Sequence, residues 1–296
     1  MTLQQLYFDK PLVDRIQTHL VRSGILDPVY RANGTRIDII EADGILGMNT
    51  EAAMRQAGMT NSNLEAWIAE LHAVNFAPVP FTDLCENENV KKIVEYCLSK
   101  GYYLSPHEKA FNVIYLEGVS YDKQSDTFTL NDNKVDEWND LRLLVGVREG
   151  MWKIIACYVA TTGPGRYYTD NPLNKDGCAR IQFGQYKAWI MGVHNGSQPA
   201  LQHCDAILVC RDLNKDGSRE GDKVYQSYGT VNHHSTKKKG TPRVVGKYSA
   251  GCMVGMEWDD HILFLAQLRT DWRYMANKNY KFIATICDGK EVFGDD

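Results

Sequence analysis

The segment YGTVNHHSTKKKGTPRVVGKYSAGCMVG, residues 228–255, carries the clearest structural signal in this chain. A strand-like run leads into His233 and His234, and a turn of small residues at 249–251 ends in Cys252. Side chains alternate between the two faces of a strand, so only one of the two adjacent imidazoles faces the cysteine. The segment therefore predicts a β structure that sets one histidine beside one thiol.

Cys252 has the surroundings that nucleophilic catalysis by a thiol requires. A neighbouring imidazole lowers the pKa of a thiol and takes up its proton. Gly251 lets a substrate carbonyl approach the backbone, and we expect the amides of Gly251 and Cys252 to stabilise an oxyanion. The alternative is that Cys252 is a buried structural thiol behind a glycine turn.

Short β-branched or aromatic runs surround this segment and predict further strands. They are FNVIYLEGV, LRLLVGVRE, WKIIACYVATT, AILVC, KVYQSYGTV and KFIATIC. One helix is expected from Glu257 to about Tyr274, because Ile262, Leu265 and Leu268 recur at helical spacing. Residues 106–296 are thus predicted to form a mainly antiparallel β domain with one late helix.

The first 60 residues have a helical pattern. An apolar stripe at helical spacing consists of Leu12, Val13, Ile16 and Leu20. A loop rich in Gly, Asn, Asp and Pro follows, and then a tight turn at residues 43–47 whose glycines accept positive φ. Asn49 or Thr50 is expected to cap a second helix that Gly58 ends. The sequence predicts a small all-α domain at 8–60.

Residues 61–105 are expected to be a helical linker or support element. The runs LEAWIAELHAV and NVKKIVEYCLSKG have helical patterns, residues 77–80 (APVP) break them, and Gly101 is the expected C-terminal cap. The fold class that follows for the chain is α+β and multidomain.

The N-terminal pattern, VDRIQTHLVRSGIL followed by EADGILGMNTEAAMRQ, resembles the common peptidoglycan-binding helical domain. The matching residues are Val13, Gln17, Leu20, Gly24, Asp43, Gly44, Gly47, Thr50 and Ala53. The insert between Leu26 and Glu41 is longer than usual. The resemblance implies a three-helix domain that binds peptidoglycan. The alternative is that these residues only build a three-helix core.

The segment at 228–255 resembles the catalytic motif of L,D-transpeptidases, where a histidine precedes a Ser/Thr-His-Gly-Cys box by about 14–17 residues. Between His234 and Ser249 lie 14 residues. A sub-group with Gly-x-x-Asn-x-His ahead of Ser-Ala-Gly-Cys is matched by Gly229, Asn232 and His234. The resemblance implies a catalytic set of Cys252, His234, Ser249 and Gly251, with Cys252 as nucleophile and His234 as base.

Other parts of the chain extend this resemblance over roughly 107–290. TTGPG at 161–165 follows a strand, and ARIQFGQYKAWIMGVHNG at 179–196 resembles the Gly-Gln-Tyr and Gly-x-His part of the sub-group. Ala250 replaces the usual box histidine, and Met253-Val254-Gly255 replaces a following Ile/Val-Arg or Asn, so the acceptor, water or amine, stays open. Supporting roles are expected for His233, His194 and Asn232.

Three aromatic residues are candidates for contact with glycan or stem peptide: Tyr186, Trp189 and Tyr167. Aromatic side chains are also the usual filling of a core, and that alternative stays open. His194 is equally well interpreted as a residue of the active-site groove or as a structural histidine.

Asp212, Asn214 and Asp216 have the opening spacing of a calcium loop, Asp-x-Asn-x-Asp-Gly. The twelfth position is Lys223 instead of Glu, and strands instead of helices flank the run. We favour a hairpin turn over a weak calcium site. No cofactor is expected to be required.

Composition argues against several other classes of function. The formal net charge of −4 gives no support to nucleic-acid binding, which needs a basic stripe, and no run approaches the ~20 apolar residues of a membrane span. The eight cysteines include no C-x-x-C pair, which argues against a structural zinc site of the usual spacing. Residues 1–10 show no signal peptide, so we expect synthesis in a cytoplasm.

The expected function is that of a peptidoglycan-acting cysteine enzyme. It forms a thioacyl-enzyme with the stem peptide and releases it to water, as a hydrolase or lysin, or to an amine, as a transpeptidase. The expected context is a phage, a phage-tail-like machine or a secretion apparatus, with action on the wall after lysis, injection or non-classical delivery. The alternatives are a non-catalytic wall-binding or structural component with a relic site, and a cysteine peptidase acting on proteins.

Overall fold

The computed structural model describes residues 2–33, 36–73, 84–238 and 240–294. Its helices are α1 Leu3–Leu6, α2 Lys10–Arg22, α3 Met48–Gln56, α4 Leu64–Ala73, α5 Glu88–Ser99, α6 Arg166–Asp170, α7 Trp258–Arg269, α8 Trp272–Ala276 and α9 Gly289–Phe293. Its strands are β1 Val29–Asn33, β2 Arg36–Ile40, β3 Asn112–Glu117, β4 Val119–Asp122, β5 Thr127–Leu130, β6 Asp140–Arg148, β7 Met151–Thr161, β8 Cys178–Ile181, β9 Gly184–His194, β10 Gln198–His203, β11 Ile207–Asp212, β12 Lys223–Ser227, β13 His233–Ser235, β14 Met253–Gly255 and β15 Phe282–Asp288. The chain is α+β, as predicted.

Eight strands form one sheet that closes on itself in the order β10-β13-β14-β7-β6-β3-β15-β9. Its pairs are antiparallel except for β13–β14 and β15–β3, which are parallel. Each of the six runs predicted to be extended contains a strand. Two of those strands, β11 and β12, lie with β8 in a separate three-stranded sheet. The prediction of a mainly antiparallel β structure is therefore confirmed.

The interior of the closed sheet is filled by large side chains from its strands and from α7. Tyr115, Trp189, Phe264 and Phe282 are each at most 1% exposed. The single helix predicted from Glu257 is two helices, which is a correction. Asp271 breaks the helix because its side chain accepts a hydrogen bond from the backbone N–H of Arg273 and begins α8.

A buried glutamine organises the region of the predicted domain at 8–60, which is called the N-terminal unit below. Gln17 on α2 accepts hydrogen bonds from the backbone N–H groups of Asp43 and Gly44, and its amide nitrogen donates to Ile45 O and to the Thr50 hydroxyl. Gly44 has a φ of 68°, as the predicted tight turn requires. The residues shared with the peptidoglycan-binding pattern thus join the turn to two helices.

The start of α3 differs from its prediction, whereas its end does not. Its N-cap is Gly47, without a side-chain hydrogen bond, so Asn49 and Thr50 lie inside the helix and do not cap it. Gly58, with a φ of 79°, follows the C-terminal end as predicted.

Residues 29–33 and 36–40 form two paired strands where the sequence predicted a loop in an all-α domain, so that part of the prediction is wrong. β1 pairs with β2 in antiparallel register. Tyr30 donates from its hydroxyl to Gln185 Oε1 on β9 at 2.7 Å, and Ile37 packs against the core of the closed sheet. Contact with the closed sheet explains why a polar-looking insert is extended.

A buried ion-pair network joins the N-terminal unit to the closed sheet. Asp27 accepts from Arg273 Nη1 at 2.7 Å and from the Tyr280 hydroxyl at 2.5 Å, and it lies 3.1 Å from Lys187 Nζ. These partners hold the pKa of Asp27 at about 2 against the opposing effect of burial. The two units are therefore packed together and share buried charge.

Helix α5 lies against the outside of the closed sheet. Val90, Ile93 and Val94 pack in one apolar cluster with Ile114 and Leu143. Gly101, with a φ of 72°, is the predicted C-terminal cap. The predicted break at 77–80 lies outside the described residues. Among the described helices, none combines the length and the apolar composition that a bilayer span requires.

Candidate active site

The parallel pairing of β13 with β14 places Cys252 beside the residue that precedes β13. His233 is in register with Met253, and the Met253 amide donates to Asn232 O at 3.0 Å. Cys252 and Asn232 are therefore neighbours at one end of the closed sheet. The thiol donates to Thr230 O at 3.6 Å.

Three side chains converge at this position. The Sγ atom of Cys252 and one ring nitrogen each of His194 and His234 lie within 4.8 Å of one another. The two imidazole rings stack, with centroids 3.9 Å apart and an interplanar angle of 8°. His194 is the last residue of β9. The end of this strand therefore brings His194 to His234, although the two residues are 40 positions apart in the sequence.

His234 has the tautomer of a general base. Its Nδ1 lies 2.9 Å from Ser235 O, and a carbonyl only accepts, so Nδ1 carries the proton. Its Nε2 is buried and has no hydrogen-bond partner. The Nε2 lone pair is therefore free to accept the thiol proton.

His233 faces the interior, as strand alternation requires of one of the two histidines. Its ring lies 4.5 Å from the ring of Trp189, and its Nδ1 lies 3.3 Å from the Tyr115 hydroxyl. Burial and the nearby Arg142 hold the pKa of His233 well below its ordinary value. His233 is outside the cluster and has a structural role in the core.

Burial favours the neutral forms of the Cys252 thiol and of the His194 and His234 imidazoles. Burial first, and then the electrostatic influence of His194, lowers the pKa of His234 to about 4; a hydrogen bond to Ser235 O opposes this effect, and Arg142 adds a smaller lowering. Burial raises the pKa of the Cys252 thiol, and a backbone hydrogen bond from Asn232 only partly opposes this. Attack by a neutral thiol requires that a base takes up its proton.

Ser249 shapes the turn that precedes Cys252. Its hydroxyl donates to Cys252 O at 2.8 Å and accepts from the Gly251 amide at 3.1 Å, and its carbonyl accepts from the Gly165 amide at 2.9 Å. The expected oxyanion role of the Gly251 amide is therefore corrected, since that amide is already bonded. The Cys252 amide is the remaining donor of the expected pair.

Gly251 is required by the geometry of this turn. Its φ is 119°, and a Cβ at this position would lie 2.6 Å from Ala179 O. Both the backbone conformation and the space exclude a side chain.

His203 organises the site although no sequence signal marks it. Its Nδ1 accepts from the amides of Thr230 and Val231 at 2.9 and 3.1 Å, and its Nε2 lies 2.5 Å from Asp205 O. These contacts fix the backbone that carries Thr230 O and Asn232. Burial lowers the pKa of His203 to about 4, which keeps Nδ1 an acceptor.

Asn232 orients His194. Its Oδ1 accepts from the His203 amide at 2.9 Å, so its Nδ2 must be the atom 2.9 Å from His194 Nδ1. An amide nitrogen only donates, which places the proton of neutral His194 on Nε2. Asn232 and His194 are in contact with each other, and His194 lies beside Cys252; their supporting roles stay predictions.

Two of the three predicted substrate contacts are wrong. Tyr186 is 2% exposed and Trp189 is fully buried, and the Trp189 indole N–H donates to Val231 O. Both belong to the core of the closed sheet. Tyr167 is 43% exposed, beside Lys247, and stays a candidate for contact with substrate.

The Asp212 loop closes the hairpin between β11 and β12. The Asp212 carboxylate accepts from the amides of Asp216 and Gly217, and the Asn214 amide donates to Asp216 Oδ2. Within the described part of the chain, the one His/Cys/Asp/Glu group compact enough for a metal ion is that of His194, His234 and Cys252. The contacts favour the hairpin turn, and the calcium site stays a prediction.

The structure thus brings together Cys252, His234, His194 and Asn232, and it gives Ser249 and Gly251 roles in shaping the turn. Asp212, Asn214 and Asp216 are not members of the compact His/Cys group among the described residues. Comparison with protein-family models, with curated proteins and with solved structures finds no match to this chain.

Proposed function

We propose that this protein is a peptidoglycan-acting cysteine enzyme of the L,D-transpeptidase type, with Cys252 as nucleophile and His234 as base. The observation that carries the proposal is the approach of Sγ to the two histidine rings within 4.8 Å. The free Nε2 of His234 and the glycine turn before Cys252 supply the remaining requirements of acyl transfer.

The proposed acylation uses the groups of the cluster in one sequence. Sγ attacks a carbonyl carbon of the stem peptide while His234 Nε2 takes the thiol proton. The oxyanion accepts a hydrogen bond from the Cys252 amide. When the C–N bond breaks, His234 returns the proton to the leaving amine, and a thioester remains on Cys252.

Deacylation reverses the proton path. His234 removes a proton from water or from an acceptor amine. The deprotonated water or amine attacks the thioester carbonyl. The C–S bond then breaks, and His234 returns the proton to the Cys252 sulfur. Water gives hydrolysis and an amine gives transpeptidation. We favour hydrolysis in a delivery context, by a phage lysin or a phage-tail-like or secretion apparatus, which acts on the wall after lysis, injection or non-classical delivery.

The N-terminal unit supports a wall substrate. Gln17, Asp43, Gly44 and Thr50 of the peptidoglycan-binding pattern form one hydrogen-bonded group, so the matching residues act together in three dimensions. We propose that this unit is a peptidoglycan-binding helical domain with a hairpin inserted after Leu26. The N-terminal unit packs against the closed sheet, so peptidoglycan bound to this unit is held near the closed sheet.

A second candidate function is a non-catalytic wall-binding component with a relic site. The observation that favours it is the burial of Cys252, which is 9% exposed and has a raised thiol pKa. A relic would keep the fold of the turn without using the thiol.

Muropeptide masses distinguish the two candidates. Sacculi are incubated with wild type, with Cys252→Ala and with the control Cys204→Ser, which changes an exposed cysteine outside the cluster. Release or exchange of stem-peptide residues by wild type and Cys204→Ser, but not by Cys252→Ala, supports the enzyme. If the sacculi stay unchanged but all three proteins still sediment with them, the wall-binding component is supported.

A further inference from the structure

The cluster of His194, His234 and Cys252 has the chemistry of a transition-metal site as well as that of a nucleophile. Its three ligand atoms, two imidazole nitrogens and one sulfur, lie within 4.8 Å of one another. Imidazole and thiolate are the ligands that Zn²⁺ prefers, and three protein ligands are the number found in open zinc sites.

Two independent observations point to a ligand at this position. His234 is 3% exposed, and its Nε2 has no hydrogen-bond partner. A buried unpaired nitrogen of this kind is uncommon in folded proteins. Among the described residues, the Cys252 thiol has the long 3.6 Å contact to Thr230 O and the backbone hydrogen bond from Asn232.

We propose that His194, His234 and Cys252 reversibly bind a borderline divalent metal ion of the Zn²⁺ class, which blocks the thiol. On binding, the S–H bond of Cys252 breaks, a Zn–S bond forms, and the proton leaves to solvent. Metal binding and acyl transfer exclude each other because both use the same sulfur electron pair. The binding inference stands by itself, whereas its inhibitory consequence rests on the proposed enzymatic function.

Asn232 limits the affinity of this site. Its Nδ2 donates to His194 Nδ1, whereas a histidine that ligates through Nε2 must carry a proton on Nδ1 and donate it. The wild-type contact therefore opposes ligation by His194 through Nε2 and lowers the affinity. Asn232→Asp replaces the donor by an acceptor and is expected to tighten metal binding by about 10-fold, the lower end of the effect of such partners.

The first test uses Co²⁺ as a spectroscopic substitute for Zn²⁺ on the full chain. We expect one equivalent of Co²⁺ to produce a sulfur-to-cobalt charge-transfer band that Zn²⁺ abolishes. Cys252→Ser should lose the band, and His194→Ala should weaken binding by on the order of 100-fold or more, beyond the effect of an outer partner. The control Cys204→Ser should bind like wild type.

A second measurement needs no variant in the cluster. Zn²⁺ should slow the alkylation of Cys252 by iodoacetamide at least about 10-fold, by occupying the sulfur that reacts. Alkylation of the exposed Cys204, read by peptide mass in the same sample, should be unchanged.

Absence of the cobalt band in wild type, its loss in Cys204→Ser, or equal affinity in His194→Ala would overturn the proposal. So would equal alkylation of Cys252 with and without Zn²⁺. None of these readouts uses a wall substrate. Metal binding without any action on sacculi therefore rejects the enzymatic function alone, and action on sacculi without metal binding rejects the metal site alone.

Discussion

At the scale of single residues, two adjacent histidines acquire opposite properties from strand geometry. His234 joins Cys252 and His194, whereas His233 lies against Trp189 in the core. The sequence indicated that one of them faces the thiol, because alternation is a property of any strand. It contained nothing to indicate His203, since that role depends on where a distant backbone segment passes.

The pH dependence of activity tests the role of His234. Because burial lowers its pKa to about 4, the neutral base persists in moderately acidic solution, and kcat/KM on muropeptides should fall only below about pH 4. An acid limb near the ordinary histidine value of about 6.5 would contradict this assignment.

His234→Ala should lower kcat/KM by about 10²–10⁴-fold, the usual contribution of a general base. The half-buried His107, outside the cluster, provides the control His107→Ala, which should keep its activity. Near-ultraviolet circular dichroism of both variants shows whether they are folded.

At the scale of elements, the turn from Ser249 to Cys252 leaves no room for a side chain at Gly251. Gly251→Ala forces a Cβ to within 2.6 Å of Ala179 O at a φ of 119°. Gly196→Ala is a matched control, because Gly196 also has positive φ, at 77°, but has no atom within 4 Å of the added Cβ.

We expect Gly251→Ala to abolish activity and to lower the free energy of unfolding by more than the ~1–3 kcal/mol of backbone strain alone. Gly196→Ala should show only that strain and remain active. Denaturant unfolding and muropeptide turnover measure both effects. Equal destabilisation of the two variants would show that contact with Ala179 is unimportant.

The stability of the protein should depend on the side chain of Asp212 and should not depend on calcium. Asp212 is 1% exposed and accepts two backbone amides, so Asp212→Ala should lower the free energy of unfolding by about 1–3 kcal/mol. Added Ca²⁺ should leave the Tm of wild type unchanged. A Tm that rises with Ca²⁺ in wild type but not in Asp212→Ala would establish the calcium site instead.

Elements were predictable from sequence where the pattern was local. The strands around Ile114, Leu143 and Ile286 are short apolar runs that indicate β structure without knowledge of their partners. The hairpin at β1–β2 was missed because its extension depends on contact with β9. The burial of Tyr186 and Trp189 in the core was not predicted. A strand pattern shows that side chains alternate between two faces, but it does not show which face is packed against the core.

At the scale of the whole molecule, the N-terminal unit and the closed sheet share a core. Trp272 of α8 and Ala110 pack in the same apolar cluster as Leu20 and Ile16 of α2. Asp27 adds a buried ionic contact with Arg273. The sequence predicted consecutive domains. It gave no sign of this packing, because residues such as Asp27 and Arg273 are about 250 positions apart in the chain.

We expect one cooperative unfolding transition for the full chain, measured by calorimetry. Asp27→Ala should lower the free energy of unfolding by about 3–5 kcal/mol, because it leaves the buried Arg273 and Lys187 without that carboxylate. The pKa of Asp27 is depressed to about 2, so its contribution is complete above its ordinary value of about 3.9 and is lost as the pH falls through 2. Two separate transitions, of which only the lower responds to the mutation, would show independent domains.

Capture of the thioacyl intermediate tests the central claim, that Cys252 is acylated by a stem peptide, most directly. Wild type and Cys252→Ala are mixed with purified muropeptides, quenched in acid, digested, and measured by mass spectrometry. We expect a stem-peptide thioester on the peptide that contains Cys252 in wild type and none in Cys252→Ala. Turnover of muropeptides by Cys252→Ala, or an acyl group on another residue of wild type, would contradict it.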